Sequence, residues 1–198
     1  MQQKKIILAS SSPRRAQLLA MLGLVFQTIV PEADESFREE NTIEENLKMI
    51  TEQKARSVCH TPTSKDAFIV AADTIVVLEN TVFSKPKDAA QAFDMLTALS
   101  GKTHSVLTGL SVVDRARNAS TYYLGKTDVT FQTITSEEIQ DYLAHGQWTD
   151  KAGAYGIQGI GSVLIEKING CFYNVMGLPV PALYRILKSF GYNLFHLK

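Results

Sequence analysis

The sequence predicts an α/β fold, a mixed central β-sheet flanked by helices, on three observations. Strand-length apolar runs alternate with segments of helical apolar spacing along the 198 residues. The hydrophobic share, 45%, is enough to bury a core without disulfides or structural metals. No repeat, low-complexity tract or linker breaks the alternation, so residues 1–198 are expected to form a single domain.

The first apolar run, Ile6 to Ala9, reads as a buried strand that empties into Ser10-Ser11-Ser12-Pro13-Arg14-Arg15. A helix is expected there, with Ser12 as N-cap, Pro13 at the first helical position, Leu18, Leu19 and Leu22 on the apolar face and Gly23 as the stop. A second helix begins at the capping box Thr42/Glu45. Ile43, Leu47, Ile50, Lys54 and Val58 share one of its faces, where the lysine is out of place.

Phe68 to Leu78 is the longest strand signal, interrupted only at Asp73-Thr74, and Glu79-Asn80 reads as a hairpin turn toward Val82-Phe83. Behind Asp88, Ala89, Phe93, Leu96 and Leu99 repeat at helical spacing, and Ser100-Gly101 closes the helix. Ser105–Val113 and Tyr122–Phe131 read as an antiparallel pair. Thr135 and Glu138 cap another helix, with Ile139, Tyr142 and Leu143 inward. The glycine-rich loop Asp150–Gly161 leads to an expected strand at Val163–Ile165 and, through a turn at Asn169-Gly170, to another at Phe172–Val175. Pro179 opens the last helix, with Leu183, Ile186 and Leu187 inward.

Charge narrows the function. Twenty basic and twenty acidic residues cancel, so no bulk field holds nucleic acid or an anionic membrane, and any anion site must be local. The opening Met1 to Lys5 and the short apolar run after it are too brief for a secretion signal, and no stretch approaches a membrane span, so a cytoplasmic protein is expected. Cys59 and Cys171 stand far apart without ligand spacing and read as free thiols. The histidines at 60, 104, 145 and 196 show no ligand spacing either.

A strand running into Ser-Ser-Ser-Pro-Arg-Arg at a helix start gathers backbone N–H groups, hydroxyls and guanidiniums into an anion cradle. The same residues also suit a well-capped helix with two solvated arginines, and adjacent arginines diverge, so at most one reaches a phosphate by its side chain alone. Asp73 within an apolar strand needs a cation or a donor. A Mg²⁺-type ion shared with a triphosphate answers that need, as does an Asp-Thr bulge bonded to its own backbone. The ammonium of Lys54 can snorkel to a cleft or to plain solvent, Lys85 follows a strand end, and Glu35 is either a second metal carboxylate or a solvated loop charge. Ser100-Gly-Lys-Thr103 is not a P-loop, because Leu96 stands where that motif needs glycine. The glycines at 153, 156, 159 and 161 allow a close backbone approach to a ligand, with Tyr155 and Gln158 presented to it. Trp148, Phe172 and Tyr173 read as core or interface rather than as a base-stacking platform.

In combination, Ala9-Ser-Ser-Ser-Pro-Arg-Arg15, Ala72-Asp-Thr74, Lys85-Pro86, Ser100-Gly-Lys-Thr-His104, Asp150-Lys-Ala-Gly-Ala-Tyr-Gly-Ile-Gln-Gly159 and Asn174-Val-Met-Gly-Leu-Pro179 resemble the Maf family in order and spacing. The resemblance implies an elongated two-lobed fold with a central cleft, like the inosine triphosphate pyrophosphatases, and often a homodimer. It implies a cytoplasmic hydrolase that cuts a nucleoside triphosphate between the α- and β-phosphates with Mg²⁺ or Mn²⁺. By position, Asp73 becomes the catalytic base or metal-linked carboxylate and Glu35 a second acid. Ser10, Arg15, Lys54 and Lys85 fall where the family lines the triphosphate. Arg14, Thr74 and Gln158 match the subgroup acting on dTTP and UTP, whereas the subgroup acting on 7-methyl-GTP carries an aromatic, a glutamine and a glutamate there. The neutral amide of Gln158 can both donate and accept, which suits the O4 and N3–H edge of thymine or uracil. The alternative is a non-catalytic nucleotide- or RNA-binding regulator of cell division, which Asp73 argues against, since a pure binder gains nothing from an acid that repels phosphate.

Overall fold

The computed structural model describes residues 4–196. Met1 to Gln3, part of the segment read above as too short for a secretion signal, lie outside the described residues, as do Leu197 and Lys198. In chain order the elements are β1 (Lys5–Ala9), α1 (Pro13–Met21), β2 (Phe26–Ile29), α2 (Ile43–Val58), β3 (Ala67–Leu78), β4 (Thr81–Phe83), α3 (Ala89–Leu99), β5 (Thr103–Asp114), β6 (Ala119–Phe131), α4 (Ser136–Ala144), β7 (Ile165–Asn169), α5 (Phe172–Val175) and α6 (Val180–Ser189). The strands form a mixed sheet in the order β2-β1-β3-β5-β6-β7, with β4 paired to β3. Beta1 runs parallel to β2 and β3, while β4 on β3 and β7 on β6 are antiparallel. Among the described residues no helix is long and apolar enough to cross a membrane.

The chain divides into two compact units. The first comprises Met1–Asp73, Thr108–Leu124 and Gly177–Lys198, the second Thr74–Leu107 and Gly125–Met176. In the first unit β1 is covered on both faces, which is why it reads as an unbroken apolar run. On one face Ile7 and Ala9 of β1 and Ala67, Ile69 and Ala71 of β3 pack with Ala55 and Val58 of α2. On the other face the Phe68 ring lies parallel to Phe190, 6.0 Å between centroids, and edge-on to Tyr192 at 5.6 Å, beyond the end of α6. Leu183, Ile186 and Leu187 of α6 are buried, as their spacing predicts.

In the second unit Val76 and Leu78 of β3, Val106 of β5 and Val129 and Phe131 of β6 share a core with the buried faces of α3 and α4. Glu79 and Asn80 both take positive φ, 49° and 68°, the pairing that a two-residue hairpin turn requires. Beta5 and β6 are sheet neighbours joined by a turn of only residues 115–118, which a parallel pair could not close.

Several expectations are corrected. Beta2 has no counterpart in the sequence reading, because Phe26-Gln-Thr-Ile is short, none of it is fully buried, and what makes it a strand is the parallel ladder to β1. Ala89 is exposed, and Ala92 and Met95 take the inward places on α3. Gly159–Leu164 is a 3-10 turn, so the strand expected from Val163 begins only at Ile165. Phe172–Val175 is a helical turn rather than a strand. The Thr127 hydroxyl accepts from Cys171 N–H at 3.0 Å and donates to Cys171 O at 3.1 Å, which occupies the backbone groups a continuing hairpin would need. Asn174 then reaches back, its amide donating to Val106 O at 3.0 Å.

Candidate active site

Strand register alone explains how an acid and a lysine meet in the first unit. Side chains of β3 alternate in direction, so Asp73 continues the row Ala67, Ile69, Ala71 that packs against α2. On α2, Lys54 stands one turn before Val58 on the buried face, and the capping box at Thr42 fixes where that helix starts. The Lys54 side chain is 7% exposed, and its Nζ lies 2.5 Å from Asp73 Oδ1 and 2.8 Å from Glu35 Oε1. Of the two sequence alternatives, Lys54 therefore takes the inward one, with its stem packed and its charge set between two acids. Asp73 is 15% exposed and finds its cation there, while Glu35, on the loop between β2 and α2, is 61% exposed.

Ala9 and Ala71 are register partners on parallel strands, so Ser10 emerges beside the stretch of β3 that carries Asp73. The carboxyl ends of parallel strands are the usual place for a ligand in such sheets. Ser10 is buried at 3% exposure, and its Oγ accepts from Ser12 N–H at 3.1 Å and from Arg15 Nη1 at 3.2 Å. Both contacts use the oxygen as acceptor, so the Ser10 O–H can donate to an anion. Ser12 stands at the N-cap of α1, but its hydroxyl makes no cap bond. The Arg15 Nε donates to Gly177 O at 2.8 Å, so its planar guanidinium is held at two points. Burial pulls the Arg15 proton affinity down, Asp73 opposes this, Arg14 adds to it and Glu35 opposes it.

Ser10, Arg15, Glu35, Lys54 and Asp73 are thus brought together within the first unit, and Arg14 adjoins Arg15. Thr74 follows Asp73 on β3 and points to the other face by alternation. Thr74, Lys85 and Gln158 belong to the second unit. Lys85 is exposed just after β4, and Gln158 is exposed at the N-cap of the 3-10 turn Gly159–Leu164. Tyr155 is not presented to a ligand as expected: it is buried, with its hydroxyl 2.7 Å from His104 Nε2. Ser100, in the segment rejected as a P-loop, accepts from Ile134 N–H at 2.8 Å and donates to Ile134 O at 3.1 Å, a purely structural exchange.

Sequence reasoning missed Tyr122. Its hydroxyl is buried without a hydrogen-bond partner, and a Cβ on Gly109 would stand 3.0 Å from it and 2.5 Å from Thr51 Oγ1. Burial first, then Glu52, Asp73 and Glu44, push the Tyr122 phenol up to about 12, so it stays a donor.

Among the described residues no three His, Cys, Asp or Glu side chains cluster as a ready metal cage. Glu35 and Asp73 nevertheless converge on one point, now taken by the Lys54 ammonium. Two hard carboxylate oxygens at one point fit an ion such as Mg²⁺, which keeps waters and takes its remaining oxygens from substrate phosphates.

Together these features define an α/β protein whose first unit sets acids, a lysine and an arginine-serine pair at a strand-to-helix junction, a site suited to phosphoanhydride chemistry. The sequence matches the Maf-like protein family over residues 5–190, and the chain belongs to that family. It is 42% identical over 193 residues to a dTTP/UTP pyrophosphatase of Caldicellulosiruptor bescii, covering 96% of this chain and 97% of the relative. It is 42% identical over 191 residues to one of Clostridium kluyveri, covering 96% and 100%. A relative of the same name in Bacillus cereus is 41% identical over 193 residues, covering 98% and 93%. Among solved structures it is similar to the Staphylococcus aureus Ham1 protein, with 15% identity, 82% and 80% coverage and a TM-score of 0.47.

Proposed function

We propose that this chain is a nucleoside triphosphate pyrophosphatase that hydrolyses dTTP and UTP to the monophosphate and pyrophosphate. Relatives bearing that name over nearly their whole length support the substrate, and one observation carries the chemistry: Lys54 bridging Asp73 and Glu35 beside the Ser10–Arg15 pair. The family match over residues 5–190 spans both units, which supports reading the chain as one functional domain, and the homodimer expected from the family remains part of the proposal.

The mechanism follows from charge and hydrogen bonding. A triphosphate entering the cradle meets Ser10 as donor and Arg15 as a fixed guanidinium, and these hold it in one orientation. Asp73 takes the proton of a water that attacks the α-phosphorus. The bond to the α,β-bridging oxygen breaks and pyrophosphate leaves, with Lys54 opposing the charge that develops on its oxygens, and Lys85 is assigned to the triphosphate by its position in the family pattern. Glu35 and Asp73 would hold a divalent cation, which when bound supplies Lewis-acid neutralisation of the phosphates. Arg14, Thr74 and Gln158 are the proposed selectivity residues, with Gln158 reading the O4 and N3–H edge of the base.

Purified protein assayed across nucleoside triphosphates for pyrophosphate release, with Mg²⁺ or Mn²⁺, is expected to favour dTTP and UTP over CTP and the purines. EDTA should abolish activity and excess metal restore it, whereas full activity in chelator removes the metal from the scheme. No release from any nucleotide favours the non-catalytic regulator, and a preference for 7-methyl-GTP overturns the base assignment.

A further inference from the structure

The second unit contains a polar pair that the mechanism above does not use. His104 of β5 is 2% exposed and Tyr155 of the glycine-rich loop 4%, and they are joined at 2.7 Å from Nε2 to the hydroxyl. Both rings meet Phe131 edge-on, with centroids 5.0 Å and 4.7 Å away, and each other at 5.3 Å. Packing alone would be served by apolar side chains, because a buried imidazole must be desolvated, and His104 Nδ1 is buried without a partner.

What the pair holds is an unfavourable backbone. Gly153 and Ala154, just before Tyr155, both take positive φ, 69° and 61°, and the alanine persists there only if its surroundings fix it. Gly153 N–H donates to Ser84 O at 3.2 Å, next to Lys85. A Cβ on Gly153 would press on Val76 at 3.1 Å. On the far side of Tyr155, the Gly156 backbone is hydrogen bonded to the Tyr142 hydroxyl. The Gly156 carbonyl passes so close to Gly161 that a Cβ there would stand 2.4 Å away. Gln158 thus hangs within a short span tied at residues 153, 155 and 156 and closely packed at 161, and the first tie also reaches the segment carrying Lys85.

We propose that His104, acting through Tyr155, is a positioning residue that registers Gln158 against Lys85 and so sets the enzyme's selectivity for the base. The inference rests on the roles given to Gln158 and Lys85 under the proposed function. A buried hydrogen bond to a rigid strand turns a flexible glycine-rich loop into a template of fixed geometry, and discrimination between pyrimidine edges needs that fixity more than it needs contact area.

Three variants test it. Tyr155→Phe removes one oxygen and keeps the ring packing, His104→Leu removes the bond, and His104→Gln keeps a hydrogen-bonding group near the Nε2 position. The ratio of kcat/KM for dTTP over dCTP is expected to fall about tenfold in the first two and to return to within about twofold of wild type in the third. Hydrogen exchange of the amides of residues 152–161, read without nucleotide, should speed up about tenfold in Tyr155→Phe. A purely structural role would lower Tm in all three and leave the dTTP ratio untouched. An unchanged ratio in well-folded Tyr155→Phe overturns the proposal. Should wild type show no dTTP preference, the proposed function fails by itself and loop exchange decides the clamp: acceleration supports it, and unaltered exchange removes it.

Discussion

Asp73 and Lys54 answer different questions when changed singly. Asp73→Asn keeps volume and shape, so it is expected to fold, with a Tm within a few degrees of wild type, while turnover falls about 10²- to 10⁴-fold as the base is lost. Near-normal turnover in that variant moves the basic role to Glu35. Lys54→Met instead strands Asp73 without its cation, and urea unfolding should record a loss of about 2–3 kcal/mol together with the loss of activity, since removing one partner of a buried pair leaves an uncompensated charge. Lys54 was legible as a misfit because it breaks an apolar helix face, and Asp73 because it breaks an apolar strand. Glu35 was legible only through its position in the family pattern, since a loop acid leaves no periodicity to violate and its local sequence left two readings open. The anchoring of Arg15 left no trace at all: its partner is the backbone oxygen of Gly177, 162 residues away, and every residue type carries that oxygen.

Helix starts were the most readable elements, because a capping box is local chemistry. Thr42 and Thr135 both close theirs with Glu45 and Glu138. Thr42→Ala should therefore lower stability by about 1 kcal/mol, and Ser12→Ala, whose hydroxyl makes no cap bond, by less than about 0.5 kcal/mol, both read from urea midpoints. Equal losses would mean that cap geometry is not what distinguishes the two helix starts. Where non-local bonds decide, sequence reading fails. Phe172-Tyr173-Asn174-Val175 has strand propensity, yet Thr127, 44 residues earlier, takes the Cys171 backbone and turns the chain into α5. Beta5 carries a pH dependence of its own. Burial lowers the His104 pKa from 6.5 to about 4 against a smaller opposing pull from Asp128, so the folded protein keeps the ring neutral where the unfolded chain protonates it. Stability from this group is fully present above about pH 6.5 and declines as pH falls toward 4, by roughly 3 kcal/mol in all, with Tyr155 its bonded neighbour. His104→Gln should flatten that part of the stability profile, and an identical acid decline in the variant would assign it to other groups.

At the scale of the molecule, the alternation of strands and helices made the α/β class legible, since each element advertises its own period. The boundaries of the two units were not legible, because three of the four fall inside continuous strands, at Asp73/Thr74 of β3, Leu107/Thr108 of β5 and Leu124/Gly125 of β6, and the fourth, Met176/Gly177, in the short turn between α5 and α6, where no linker composition marks them. The two units are interleaved along the chain, with segments of the first on both sides of the second, and this has a temporal consequence during synthesis. The residues of the second unit have all left the ribosome once Met176 has cleared the exit tunnel, whereas the first still lacks α6 and the Gly177 carbonyl that orients Arg15. Translation therefore completes the anion-binding corner only after the second unit, although Ser10 and Arg15 precede that unit in the chain. Nascent chains stalled shortly after Met176 emerges should protect the second unit from protease while binding no nucleotide, and tight nucleotide binding by such a chain would show that Arg15 is oriented without Gly177.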